Sequence, residues 1–154
     1  MSHYFIDSSA LIKRYYPESG TVWLRSITAQ SVGNTIFIAC IAPVEVVSGL
    51  SRRTREGYLL PAHAHAIREL LDRHIGRQYV TVGLDDGIVA LAEDLLEKHP
   101  LRAYDAVQLA SALEINARLL AARLSAPIFV SADARLLATA AAEGLATEDP
   151  SRHP

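Results

Sequence analysis

The sequence predicts an α/β fold in which a parallel β-sheet is covered by helices on both faces. Short apolar runs alternate along the chain with longer segments whose apolar residues recur at helical spacing. The first run, residues 4–6, is uninterrupted, which is typical of a strand buried on both faces. It ends abruptly in Asp7, Ser8 and Ser9, so we expect its carboxyl end to open into a polar crevice, where open α/β sheets bind ligands.

Length and composition place the chain among globular proteins. Half of its 154 residues are apolar, and we expect a single domain over residues 1–150 with a flexible tail at 151–154. The net charge of −2 excludes a globally basic nucleic-acid-binding protein but leaves room for a local basic patch. The lone Cys40 excludes a disulfide framework and a thiolate metal site. With no predicted secretory signal or membrane-spanning run, we expect a cytoplasmic protein without membrane association.

The first half of the chain is predicted to contain two strands and four helices. The strands are residues 4–7 and 36–41, and the helices are residues 9–16, 18–29, 44–55 and 61–74. Ser8 or Ser9 can cap the first helix, because a serine hydroxyl accepts a hydrogen bond from the open first turn. Pro17 ends that helix, and Pro43 begins the third, where a missing backbone N–H is tolerated.

The second half of the chain continues the alternation of strands and helices. Its strands are residues 78–82, 127–130 and a short edge strand at 145–147. A helix follows Asp85 or Asp86, the longest helix covers residues 103–123, and a last helix lies between Asp133 and Gly144. This alternation predicts parallel strands with right-handed crossover connections.

Four carboxylates are predicted to meet at the carboxyl edge of this sheet. Asp7 ends one strand, Asp133 follows another by three residues, and Glu45 lies four residues beyond the end of a third. Asp105 follows no strand, but it lies in the first turn of the longest helix, which Pro100 could direct toward the same edge. Carboxylate oxygens suit Mg²⁺ or Mn²⁺, and four acids without an ion would repel one another. The cluster therefore predicts a divalent-metal site.

Each of these acids also has a purely structural interpretation. Asp7 could be a turn residue, and Glu45 and Asp105 could complement the dipoles of their helices. Asp133 could be a helix cap, and it could be cap and metal ligand at once. The joint pattern is more informative than any one of these residues.

Four sequence blocks follow one another in the order of a known family: YFIDSSAL at residues 4–11, PVE at 43–45, LRAYDAVQLA at 101–110 and FVSADARLL at 129–137. In these blocks the chain resembles the PIN-domain ribonucleases, and within them the VapC-type toxins of bacterial toxin-antitoxin pairs. The resemblance implies a PIN-like three-layer sandwich with a central parallel sheet of four to five strands. It also implies an endoribonuclease with an RNA substrate, a cognate antitoxin and a homodimeric state.

The resemblance assigns catalysis to the four acids, Asp7, Glu45, Asp105 and Asp133, as ligands of Mg²⁺ or Mn²⁺ that activate a water molecule. All four positions are filled in this chain.

Other polar residues have two interpretations each. Ser9 and Ser131 are placed either to hydrogen-bond the ligating carboxylates or to cap helices. Arg52 lies two turns beyond the glutamate on the same helix face, and with Lys13 and Arg14 it is a candidate for RNA phosphate contacts.

Two alternative functions remain open on the sequence. A non-catalytic PIN-fold binding module acting through protein partners would keep the same fold, and only an activity assay separates it from a nuclease. A metal-dependent phosphatase is disfavoured because Ser9 stands where an aspartyl-phosphate hydrolase of the haloacid dehalogenase type has a second aspartate.

Overall fold

A five-stranded parallel sheet forms the centre of the computed structural model, which describes residues 1–153. The strands are β1 (His3–Ile6), β2 (Thr35–Ala39), β3 (Tyr79–Val82), β4 (Ile128–Val130) and β5 (Ala146–Glu148). Their spatial order is β3-β2-β1-β4-β5, and all neighbours pair in parallel. β1 is therefore the central strand, and the predicted parallel sheet of four to five strands is confirmed.

Seven α-helices in the described residues connect and cover the strands. They are α1 (Ser8–Tyr15), α2 (Thr21–Ile27), α3 (Ala42–Arg55), α4 (Pro61–Ile75), α5 (Asp86–Lys98), α6 (Ala103–Ala121) and α7 (Ala134–Ala142). The first four helices pack on one face of the sheet and the last three on the other, which gives the three layers predicted from the sequence. None of the helices within residues 1–153 combines the length and apolar character needed to cross a membrane.

Neighbouring residues of the central strand supply two separate cores. Phe5 belongs to the core beneath α5, α6 and α7, where its ring stacks on that of Phe129 with centroids 5.9 Å apart. Ile6, next in sequence, belongs to the core beneath α1 to α4. Both side chains are fully buried. Because successive strand residues point to opposite faces, an unbroken apolar run is what a strand covered on both sides requires.

Most predicted elements are present, with shifts of one or two residues at their ends. The cap of α1 differs from the prediction, because Asp7 and neither Ser8 nor Ser9 occupies the N-cap position. The carboxylate Oδ1 of Asp7 accepts the backbone N–H of Ala10 at 2.9 Å. A single residue thus ends β1, starts α1 and faces the edge of the sheet.

The second helix is shorter than predicted, because α2 begins at Thr21 instead of residue 18. Gly20 precedes it with a φ angle of 92°, a left-handed conformation that favours glycine. A Cβ atom on Gly20 would lie 2.5 Å from the carbonyl oxygen of Pro150. Glycine therefore also allows the C-terminal segment to approach α2 closely.

The segment after β5 packs against α2. Pro150–Arg152 form a short 3₁₀ helix, and the ring of His153 stacks on that of Trp23 with centroids 4.5 Å apart. His153 therefore packs on the half-buried indole of Trp23 within the segment 151–154 that the sequence predicts to be a flexible tail. The last residue of that segment, Pro154, lies outside the described residues.

Candidate active site at the carboxyl edge of the sheet

Asp7 is the most deeply buried acid of the candidate site. Only 2% of its surface is exposed, and its carboxylate accepts hydrogen bonds from three groups. Ser9 Oγ donates to Oδ1 at 2.8 Å, Ser131 Oγ donates to Oδ2 at 2.8 Å, and the Ala10 N–H donates to Oδ1. Both serines that the sequence singles out therefore contact this carboxylate, while the N-caps of α1 and α7 are aspartates. These contacts fix the orientation of Asp7.

The environment of Asp7 shifts its protonation toward neutral pH. Burial raises the pKa of this carboxyl group from 3.8 to about 7, although the Ala10 N–H and the two serine hydroxyls counteract the effect. The negative charge of Glu45 raises the pKa further. Hydrogen bonds alone therefore do not compensate the charge of the ionised Asp7.

The other three acids reach the same cleft from three different helices. Glu45 lies in the first turn of α3, Asp105 lies in the first turn of α6, and Asp133 is the N-cap of α7. Together with Asp7 they line a single cleft of about 420 Å³. The structure thus brings together all four acids that the sequence predicts to converge, including Asp105, which follows no strand.

Asp105 differs from its neighbours because its carboxylate accepts no hydrogen bond from residues 1–153. Asp133 Oδ1, by contrast, accepts the backbone N–H groups of Arg135 and Leu136 at 2.8 and 3.2 Å. Partial burial raises the pKa of Asp105, the nearby charges of Asp133 and Glu45 raise it further, and Arg102 partly offsets them. The carboxylate oxygens of Asp105 therefore have no hydrogen-bond donor within the described residues and lie near two other negative charges.

Gln108 is a site residue that reasoning from the sequence missed. It lies one turn after Asp105 on α6, is 1% exposed, and donates from Nε2 to Glu45 Oε1 at 2.8 Å. Its own Oε1 is buried without a hydrogen-bond partner in the described residues. The available signal was a polar side chain on the apolar inner face of the longest helix, which usually requires a specific partner.

Basic residues line one side of the cleft. Arg52 is exposed there, and Lys13 lies beside Glu18, with 3.5 Å between Lys13 Nζ and Glu18 Oε2. Arg102, which was not among the predicted contacts, lines the cleft from the N-terminus of α6. These three cations bring positive charge to the margin of an acidic site, as phosphate binding requires.

Arg14, the third predicted phosphate contact, is not brought to this cleft. Its guanidinium donates to the Tyr79 hydroxyl and, at 2.6 Å, to Gln78 Oε1. The same group lies over the rings of Tyr15 and Tyr79. The Tyr15 hydroxyl in turn bonds His74 Nδ1 at 2.8 Å, so Arg14 joins α1 to β3 while its neighbour Tyr15 joins α1 to α4. This network explains Arg14 as a packing residue.

Comparison with known proteins agrees with this architecture. The PIN domain profile matches residues 4–141. No curated protein sequence matches the chain. Similar solved structures include VapBC2 from Rickettsia felis bound to a DNA fragment from its promoter, with a TM-score of 0.63 and 13% identity over 96% of this chain and 98% of the other. VapBC-1 from nontypeable Haemophilus influenzae has a TM-score of 0.59 and 13% identity, covering 97% of this chain and 98% of the other.

A third similar structure, PAE2754 from Pyrobaculum aerophilum, has a TM-score of 0.60 and 19% identity, covering 98% of this chain and 85% of the other. At these identities the likeness demonstrates a shared fold. The profile match, by contrast, extends over most of the chain and includes all four acids of the cleft. The chain therefore belongs to the PIN domain family, as its sequence blocks predict.

Proposed function

We propose that this protein is a metal-dependent endoribonuclease and the toxin of a toxin-antitoxin pair. The observation that carries the proposal is the convergence of Asp7, Glu45, Asp105 and Asp133 in one cleft of a PIN domain. PIN domains are generally nucleases that use divalent metal ions, and a carboxylate cluster with cationic margins suits the cleavage of a polyanion.

The residues present fit Mg²⁺ or Mn²⁺. The donors are hard carboxylate oxygens, the burial of Asp7 leaves its charge poorly compensated, and Asp105 has free oxygens. Within residues 1–153, no three His, Cys, Asp or Glu side chains are already arranged as a finished metal site. Hydrogen bonds engage Oε1 of Glu45 and Oδ1 of Asp133, so the second oxygen of each carboxylate stays available to an ion.

In this proposal each protein group has a defined task. Asp7 provides a fixed carboxylate, Asp105 provides a freely oriented one, and Gln108 positions Glu45 through its 2.8 Å hydrogen bond. Arg52 and Lys13 hold RNA phosphates at the margin of the cleft. The chemistry supplied by a divalent ion in this setting is polarisation of the scissile phosphate and activation of a water molecule. No nucleophilic side chain is required.

The toxin assignment, with its cognate antitoxin, homodimeric state and cytoplasmic location, extends the same proposal. Its support is the fold shared with the VapBC structures and the VapC-like sequence blocks. Co-expression with the protein encoded by an adjacent gene, followed by co-purification and a growth assay, tests this part separately from the chemistry.

The central experiment is cleavage of mixed RNA by the purified protein with Mg²⁺, with Mn²⁺ and with a chelator. We expect cleavage only with an ion, and we expect Asp7→Asn, Glu45→Gln and Asp105→Asn each to abolish most of it. Asp133→Asn should be milder. Asp94→Asn is the matched control, because Asp94 is an exposed acid of α5 outside the cleft. A parent protein that cleaves no RNA with either ion would favour the non-catalytic binding module instead.

A further inference from the structure

The acidic cleft continues beyond Asp105 into a second compartment of about 310 Å³. The two compartments share Glu45, Arg102, Asp105 and Asp133, so a bound polymer could pass from one to the other without leaving the protein surface. The second compartment has a different lining, because its remaining side chains are mainly apolar or cationic. Its apolar part comes from Pro100, Leu101, Tyr104 and Leu136.

Tyr104 is the distinctive side chain of this compartment. It lies directly before Asp105 in the first turn of α6, and 59% of its surface is exposed. Its ring has no aromatic partner among residues 1–153. The ring therefore contributes little to the core, and the helix holds it in place beside the site. Such a ring is available for stacking on a planar group.

Two guanidinium groups accompany the ring. Arg102 and Arg135 both line the compartment, and both are exposed. Neither forms an ion pair with a carboxylate of the described residues. Uncommitted guanidinium groups beside an aromatic ring match the alternation of phosphates and bases in a nucleic-acid strand.

We propose that this second compartment is a subsite for one unpaired nucleotide, whose base stacks on Tyr104 while Arg102 and Arg135 bind its flanking phosphates. A base within a duplex already has neighbours on its faces, so the subsite selects single-stranded RNA next to the cleaved bond. This inference rests on the proposed nuclease function and adds to it one nucleotide-binding subsite with its contact residues. It also explains why a large aromatic residue is exposed beside the catalytic acids.

The test compares Tyr104→Ala, which removes the ring, with Tyr104→Phe, which keeps it. Cleavage of single-stranded RNA with Mn²⁺ is measured as kcat and KM, and stopped-flow mixing follows the quenching of a fluorescent purine analogue in the RNA before cleavage. Tyr104→Ala should raise KM about tenfold and abolish the quenching, and Tyr104→Phe should resemble the parent. Arg102→Ala and Arg135→Ala should each reduce the salt dependence of binding by about one phosphate contact.

Controls separate the failure of this subsite from failure of the proposed function. Melting curves with and without Mn²⁺ verify that the Tyr104 variants are folded and retain any response to the ion. The same RNA annealed to its complement should be cleaved much more slowly by the parent.

The possible outcomes distinguish the two proposals. Unchanged KM and quenching in Tyr104→Ala, or equal cleavage of the duplex, would overturn the subsite without contradicting the nuclease function. A parent that cleaves no RNA would overturn both. An altered affinity for a protein partner alone would assign Tyr104 to a protein interface.

Discussion

The hydroxyl of Ser131 donates a 2.8 Å hydrogen bond to Asp7 Oδ2, joining two residues that are far apart in sequence. The contact is possible because β1 and β4 are neighbours in the sheet, with Ile6 opposite Val130, so the two strands end side by side. Ser131 is fully buried and also accepts the backbone N–H of Asp133 at 3.1 Å. One hydroxyl thus connects the two acids that follow the central strands.

Ser131→Ala should destabilise the metal-free protein by about 1–3 kcal/mol at pH 8, because the ionised Asp7 loses a donor in a buried position. The loss should be smaller at pH 5, where Asp7 is largely protonated. Urea unfolding in chelator at both pH values measures the difference. Ser51→Ala, at an exposed position of α3, is the control. Equal losses at both pH values would show that the hydroxyl does not act on the Asp7 charge.

The raised pKa of Asp7 predicts the pH dependence of stability in chelator. Between pH 3.8 and about 7 the folded state binds more protons at Asp7 than the unfolded state, so this group stabilises the protein as pH falls through that window. From pH 7.5 to pH 5 the gain should be on the order of 2.5 kcal/mol. Denaturant unfolding of parent and Asp7→Asn at both pH values isolates this contribution. The parent should show the additional gain, and the same pH response in the variant would contradict the assignment.

Neutralising Asp105 should stabilise the metal-free protein, because it removes repulsion from Asp133 and Glu45. Mn²⁺ should raise the melting temperature of the parent, with a stabilisation of about 2.7 kcal/mol at a hundredfold excess over the dissociation constant. Asp105→Asn should lose most of that response. Thermal melts with and without Mn²⁺ measure both effects. The metal site would be refuted if Mn²⁺ left the melting temperature of the parent unchanged and Asp105→Asn melted no higher than the parent in chelator.

Arg52→Ala should weaken RNA binding and reduce its salt dependence by about one phosphate contact, because Arg52 is an exposed cation at the margin of the cleft. Metal-induced stabilisation should remain. Arg55→Ala is the matched control, since Arg55 is exposed on the same helix and does not line the cleft. Binding titrations at several salt concentrations measure the slope, and equal slopes for the two variants would remove Arg52 from the RNA contacts.

Arg14→Ala should reduce stability and leave RNA cleavage unchanged. The substitution removes hydrogen bonds to Tyr79 and Gln78 and the guanidinium that lies over two rings, at a cost of about 1–3 kcal/mol. Chemical unfolding and cleavage below the unfolding transition measure the two properties. If RNA binding by this variant depended less on salt than RNA binding by the parent, Arg14 would again be a candidate for RNA phosphate contacts.

The sequence by itself determined the strands, the helices and three of the positions at the edge of the sheet. These features are local, because burial on both faces requires an apolar run and the chain must turn into a helix where that run ends. Asp7, Glu45 and Asp133 follow strands at short distances, so parallel pairing was sufficient to predict that they meet. The four sequence blocks further predicted that the chain belongs to the PIN domain family.

Only the tertiary structure decided the contacts made across the sheet and between its helices. Asp105 reaches the cleft because of the direction in which α6 packs, and Gln108 finds Glu45 on a different helix, 63 residues away in sequence. Arg14 turns to Tyr79 instead of the cleft. Such partners are selected by the packing of whole elements, and periodicity along one helix reveals its buried face without revealing which side chain of another element lies opposite.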